Sequence, residues 1–180
     1  SYHEAMELSH FGAKVLYPPT IVPVMSKNIP IRIKSTLHPE EPGTLIQNQV
    51  GINENPIRGL SNINNVALLT LEGGGMVGIP GISKRLFETL SNQGINIILI
   101  TQASSEHSIC LGVMEEDAGK AKLAIDEEFE YEISLNKIDP LTMEIGLSII
   151  ALVGDQMKSH QGISGKMFST LGKNNVNIRA

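Results

Sequence analysis

The chain has 180 residues, 41% apolar and 18% charged, with a formal net charge of −5, so it reads as a globular protein without the basic stripe of a nucleic-acid binder. Aromatic residues make up only 4% and tryptophan is absent, which removes the stacking platforms that single-stranded nucleic acids use. The single cysteine, Cys110, excludes an internal disulfide framework; no apolar run is long enough to span a membrane and the first residues lack a signal-peptide pattern, so a soluble cytoplasmic protein is expected.

In chain order, residues 4–8 predict a short helix, and residues 20–25 another turn or two. Residues 29–34 alternate apolar and basic side chains around Pro30, which suits an edge strand. Two prolines and a glycine make 38–43 a loop, and the polar stretch 47–56 reads as a linker. Residues 66–71 form a short apolar run that leads to the glycines at 73–75, the mark of a buried strand. Ile82, Leu86, Phe87 and Leu90 then recur at helical spacing, with Gly94 placed where a helix end wants a left-handed residue. The β-branched run 95–100 predicts a second strand, 104–107 a turn, and 108–113 a third strand. Asp117 is a candidate N-cap for a helix carrying Ala121, Ala124, Ile125 and Phe129 on one face. A fourth strand is expected within 131–135, which completes a β-α-β-β-α-β order, the ferredoxin-like split arrangement.

The chain then repeats itself. Residues 66–99 laid over 147–180, at a constant offset of 81 without gaps, give eleven identities in thirty-four positions, among them Gly73/Gly154, Met76/Met157, Gly81/Gly162, Ile82/Ile163, Phe87/Phe168 and Leu90/Leu171. A period of that length fits a small duplicated domain rather than a solenoid. The second copy has strand, helix and strand before Ala180, so it is expected to be incomplete.

The run Gly73-Gly74-Gly75-Met76-Val77-Gly78 contains the G-x-G-x-x-G spacing of dinucleotide sites. Three features speak against that use. The helix pattern starts only after Pro80 and Gly81; no acid follows the next strand; and the repeat partner, Gly154-Asp155-Gln156-Met157-Lys158-Ser159, keeps only the first glycine. Two readings of the loop remain. Its backbone amides and the helix start behind them could hold a carboxylate, or the glycines could simply permit a tight turn. Gln102 closes the second strand, where its amide could both donate to and accept from a polar ligand, or could be a solvated hairpin side chain. The five histidines are scattered without metal-ligand spacing, and Cys110 reads as a small core residue. The acidic runs 115–117 and 126–128 read as solvated helix surface, and no nucleophile–base pair, phosphate loop or carboxylate dyad stands out, so no catalytic residue is assigned.

The segment His10-Phe11-Gly12-Ala13-Lys14-Val15-Leu16-Tyr17-Pro18-Pro19-Thr20 resembles the F-G-A-K-V-L-H-P-x-T stretch that closes the kinase domain of aspartate kinases, with Tyr17 where the family commonly has histidine. The strand at 29–36 and Pro42-Gly43-Thr44-Leu45-Ile46 resemble that family's link into its regulatory region, and the repeat resembles its tandem ACT domains. The resemblance implies an α+β fold of ferredoxin-like ACT units in tandem. Residues 1–56 would be the end of the kinase domain and a linker, 57–140 the first ACT domain, and 141–180 the first half of a second. Residues 59–65 and the run Ile100-Thr101-Gln102-Ala103-Ser104-Ser105-Glu106 are most similar to bifunctional aspartokinase–homoserine dehydrogenases that respond to threonine.

The resemblance gives Gln102 an effector contact and places the matching glutamine of the second unit just past Ala180. It places an amino-acid effector, threonine or else lysine, near Gly74, Gly75, Met76, Gly81 and Ile82, with Asp155, Gln156, Met157 and Gly162 as the equivalents in the second unit. It also implies homo-oligomers formed through ACT sheets, and it assigns ATP and magnesium to the parent enzyme rather than to this region. A purely structural oligomerisation module is the alternative.

Overall fold

The computed structural model describes residues 1–12, 16–48, 51, 55–102 and 107–180. Part of the kinase-like segment (13–15), parts of the expected linker (49–50 and 52–54) and most of the expected turn (103–106) lie outside the described residues. The chain divides into two compact units, Asn64–Ser148 and a second made of Ser1–Ile63 with Ile149–Arg179.

In the unit 64–148 the elements follow the expected β-α-β-β-α-β order. They are β3 (Gly59–Glu72), α3 (Ile82–Asn92), β4 (Leu99–Gln102), β5 (Ser108–Met114), α4 (Glu115–Glu128) with the short α5 (Glu130–Ser134), and β6 (Thr142–Val153). The sheet order is β4-β5-β3-β6. The central pair is antiparallel, from Val66 opposite Met114 to Glu72 opposite Ser108, and β4 runs antiparallel to β5 from Leu99/Gly112 to Gln102/Ile109. Period-two alternation buries Ala67, Leu69 and Leu71 of β3 on the same face as Ile109, Leu111 and Val113 of β5. Leu86 and Leu90 of α3 and Ala118, Ala121 and Ile125 of α4 complete this core. Each large aliphatic side chain buried there contributes about 1.5–3 kcal/mol relative to exposure.

Three local expectations are corrected. The segment 131–135 is not a strand. Phe129 is buried, Ile133 packs against the same core, and the Ile133 N–H donates to the Phe129 carbonyl at 2.9 Å, so a spacing of four wins over the alternation of Tyr131, Ile133 and Leu135. The fourth strand is β6 instead, and its residues beyond Ser148 belong to the other unit, so one strand ends the first repeat and opens the second. Asp117 is not the N-cap of α4; the cap is Met114, and Glu115, Glu116 and Asp117 fill the first turn, where acids favour the positive helix end. Of the expected strand 95–100 only Leu99 and Ile100 fall in β4, which runs on to Gln102; the Ile95 N–H is spent closing α3 on the Leu90 carbonyl at 3.0 Å, and the Ile98 N–H donates to the Gly112 carbonyl at 2.8 Å just before the strand.

The other unit begins with α1 (Tyr2–His10), whose Ser1 and Glu4 form a capping box, and α2 (Pro18–Ser26), with prolines in its first turn where no N–H is missed. The strands β1 (Ile31–Ile33) and β2 (Thr44–Ile46) pair antiparallel, and Tyr2, Ile21 and Ile46 form a small core. This unit also holds a 3₁₀ turn at Asp155–Ser159 and α6 (Ile163–Lys173), which has no buried residue.

Each unit draws on both sequence repeats. The Asp139 N–H donates to the Glu72 carbonyl at 2.8 Å in one unit, and the Arg58 N–H donates to the Val153 carbonyl at 2.8 Å in the other. The offset of 81 relates 58 to 139 and 72 to 153, so the two bonds are repeats of each other, and each joins the strand of one copy to the lead-in segment of the other.

Candidate functional site

The strand-to-helix connection from Glu72 to Ile82 builds a pocket within the unit 64–148. After β3 a single 3₁₀ turn, Gly74–Met76, tucks Met76 into the core, and the chain then swings outward before α3. Gly81 caps α3 in the left-handed region at φ +96°, a conformation that glycine adopts without the strain a Cβ would bring. Among the described residues no side chain caps this helix, so the amides of its first turn have no side-chain acceptor there. Its first internal bond runs from the Arg85 N–H to the Gly81 carbonyl at 3.0 Å.

The pocket has a volume of about 280 Å³ and is lined by Met76, Gly78, Ile79, Pro80, Gly81, Ile82, Ser83, Gln102 and Ile109. Met76, Ile82 and Ile109 are buried and make it apolar at depth. Gln102 lies opposite Ile109 in the β4–β5 ladder, is exposed, and its side-chain amide has no hydrogen bond among the described residues. Among the described residues no lining side chain is ionisable. The chemistry on offer is therefore the positive end of α3, one hydroxyl from Ser83, one carboxamide and an apolar floor. That combination suits a small zwitterion better than a nucleotide, whose size calls for a larger cleft.

Of the residues singled out from sequence, the structure brings Met76, Gly81, Ile82 and Gln102 together on this pocket. Gly74 and Gly75 are not among its lining residues. The Gly75 N–H already donates to the Lys137 carbonyl at 2.8 Å, and a Cβ on Gly75 would stand 2.5 Å from that of Lys137. Gly75 is small because another chain segment lies against it. Ser83 and Ile109 were not singled out from sequence; the identity of Ser83 with Ser164 across the repeat was the available signal for the first.

In the other unit Asp155, Gln156 and Met157 form the equivalent 3₁₀ turn, and Gly162 caps α6 at φ +84°. Here the Asp155 N–H donates to Glu4 Oε1 at 3.0 Å, with the Arg58 guanidinium 3.7 Å from the same oxygen. Burial alone would raise the Glu4 carboxyl pKa; bonds from the Ser1 nitrogen and the Asp155 N–H, with Arg58 nearby, outweigh it and hold the group below its ordinary value. Among the described residues no cluster of His, Cys, Asp and Glu could hold a metal ion, and no helix is long and apolar enough to cross a membrane.

The model of the ACT domain family matches residues 69–129 and 150–180, and the chain belongs to that family. It is 43% identical, over its whole length, to the bifunctional aspartokinase/homoserine dehydrogenase of Haemophilus influenzae, of which it spans 22%. Among solved structures it superposes on the aspartate kinase of Clostridium acetobutylicum with a TM-score of 0.88 at 30% identity, covering 99% of this chain and 40% of that one. It also matches Escherichia coli aspartokinase III in complex with lysine and aspartate, with a TM-score of 0.68 at 30% identity, covering 99% of this chain and 38% of that one. The chain thus spans about a fifth of the length of the bifunctional relative and about two fifths of the solved kinases.

Proposed function

We propose that this chain is the effector-sensing region of an aspartate kinase, an enzyme that phosphorylates aspartate with ATP, and that it binds a free amino acid, L-threonine, in the pocket beside Gln102. The observation that carries the reading is the meeting of Gln102 with the uncapped start of α3 on one pocket of amino-acid size. In this reading the first-turn amides of α3 hold the effector carboxylate, Gln102 reads its hydroxyl or ammonium group, and Met76, Ile82 and Ile109 pack its carbon skeleton. Threonine is favoured over lysine by the run Ile100-Thr101-Gln102-Ala103-Ser104-Ser105-Glu106, which is most similar to the threonine-responsive enzymes. Occupancy regulates by differing in affinity between two states of the whole enzyme. ATP and magnesium belong to the kinase portion of that enzyme, in a cytoplasmic setting, and no residue here is assigned to them.

The test is a thermal-shift titration of the chain with L-threonine, L-lysine and L-methionine. At a hundredfold excess over Kd, binding adds about 2.7 kcal/mol. A shift with threonine that Gln102→Ala abolishes supports the reading. A shift with lysine alone moves the assignment to a lysine-responsive region, and no shift with any of the three overturns effector binding here. A structural role in oligomerisation is the second reading; in its favour the edge strand β4 exposes Ile100.

A further inference from the structure

We propose that Arg85 and Glu132 are positioning residues of this pocket, fastening both ends of its loop to α5 so that the amides of the loop and of the α3 start are already in place when the ligand arrives. The inference rests on the effector reading above for its ligand, but its geometry stands independently.

At the downstream end, the Arg85 N–H holds the Gly81 carbonyl, while its side chain reaches away to α4 and α5. The Arg85 Nε donates to Glu128 Oε1 at 2.7 Å and Nη2 to the Glu128 carbonyl at 2.8 Å. The guanidinium also forms a forked pair with Glu132, through Nη1 to Oε1 and through Nη2 to Oε2 at 3.3 Å. It lies 4.5 Å over the ring of Phe129, which is fully buried. At the upstream end, the Glu132 carbonyl accepts the Lys137 N–H at 2.9 Å, and the Lys137 carbonyl in turn accepts the Gly75 N–H at 2.8 Å. One residue of α5 therefore anchors the loop through its side chain on one side and its backbone on the other.

Between these anchors Met76 is buried in the core, and the residues after it run at the surface. A Cβ at Gly78 or at Gly81 would meet nothing within 4 Å, and Val77 and Ile79 are exposed. A loop tied at both ends is a preformed rim, and preforming a site lowers the ordering cost of binding. The second repeat supplies a contrast. Lys166, the equivalent of Arg85, repeats the backbone bond to Gly162 at 2.9 Å, but its side chain has no partner among the described residues. A lysine cannot reproduce the planar fork that serves Glu128 and Glu132 together.

The experiment uses the 180-residue chain, labelled with ¹⁵N, and combines amide exchange with L-threonine titration. The variants are Arg85→Met, the milder Glu132→Gln, and Ser91→Ala as a control at the exposed far end of the same helix. Arg85→Met is expected to speed exchange at the Gly75 and Arg85 amides at least tenfold relative to Leu69 and Leu111 of the sheet, and to weaken threonine binding fivefold or more. Glu132→Gln is expected to fall between Arg85→Met and the unaltered chain, and Ser91→Ala to change neither quantity. A uniform change of exchange across loop and sheet would reduce the pair to general stabilisation and overturn the proposal, as would a loosened loop with unchanged affinity. If the unaltered chain binds neither threonine nor lysine, the effector reading fails, and the exchange comparison alone decides whether the pair positions the loop.

Discussion

The Glu4 carboxylate accepts the backbone N–H of Asp155 at 3.0 Å, across 151 positions of sequence. Asp155 is the repeat equivalent of Gly74, so a protein carboxylate sits on the first amide of the turn that follows the second repeat's strand. The contact shows that an amide in this turn can serve an anion, and it has a consequence for acid stability.

Glu4 and Glu132 both titrate below the ordinary glutamate value, Glu132 because of the Arg85 hydrogen bonds. A carboxyl with a lower pKa in the folded chain than in the unfolded one adds stability above the unfolded value, about 4.3, and loses it as pH falls through the folded value. Thermal midpoints measured between pH 7 and pH 3 should therefore drop most steeply below about pH 4. In the double variant Glu4→Gln/Glu132→Gln that drop should shrink; an unchanged profile would show that other carboxyls govern it.

Gln102→Ala should leave the fold intact. The side chain is exposed and unbonded among the described residues, so its truncation should change stability by no more than about 0.5 kcal/mol in urea unfolding. Loss of the threonine response together with unchanged unfolding is the expected pair of results. A loss of stability above about 1 kcal/mol would mean that Gln102 has a structural partner.

Glycines 73 and 74 should separate cleanly. A Cβ at Gly73 would stand 2.4 Å from the Lys137 carbonyl oxygen and 2.6 Å from the Ile138 Cα, whereas one at Gly74 meets nothing within 4 Å. Gly73→Ala is expected to cost about 1–3 kcal/mol by overpacking, and Gly74→Ala under about 0.5 kcal/mol. Chemical denaturation of both variants gives the comparison, and equal costs would contradict the close approach.

Leu90 and Leu171 share a repeat position but not an environment, the first fully buried and the second only half-buried. Leu90→Ala should cost about 2–5 kcal/mol and Leu171→Ala clearly less. Amide exchange protection should follow the same order, α3 above α6, whose Phe168 is 54% exposed.

Much of this was legible in the sequence because periodicity survived in the right places. The spacing of Leu86 and Leu90 gave α3, the alternation of Ile109, Leu111 and Val113 gave β5, and the offset of 81 exposed the duplication. Where Tyr131, Ile133 and Leu135 alternate, period two concealed a helical turn whose real signal was Phe129 with Ile133. Gln102, Gly81, Ile82 and Met76 could be linked through a family resemblance, but Ile109 joins the pocket only by its ladder position opposite Gln102. The anchoring of the loop by Glu132 was not readable at all, since it depends on a backbone carbonyl and on a helix that the sequence disguised as a strand.

The sharing of both repeats between units sets an order of assembly. The unit 64–148 is continuous, so every loop it must close lies within 85 residues and it can form while the chain is still being made. The unit of Ser1–Ile63 cannot finish until Ile149–Arg179 has emerged, and Arg58 must wait for Val153. Residues 1–63 are thus made before the continuous unit and yet reach their final partners after it.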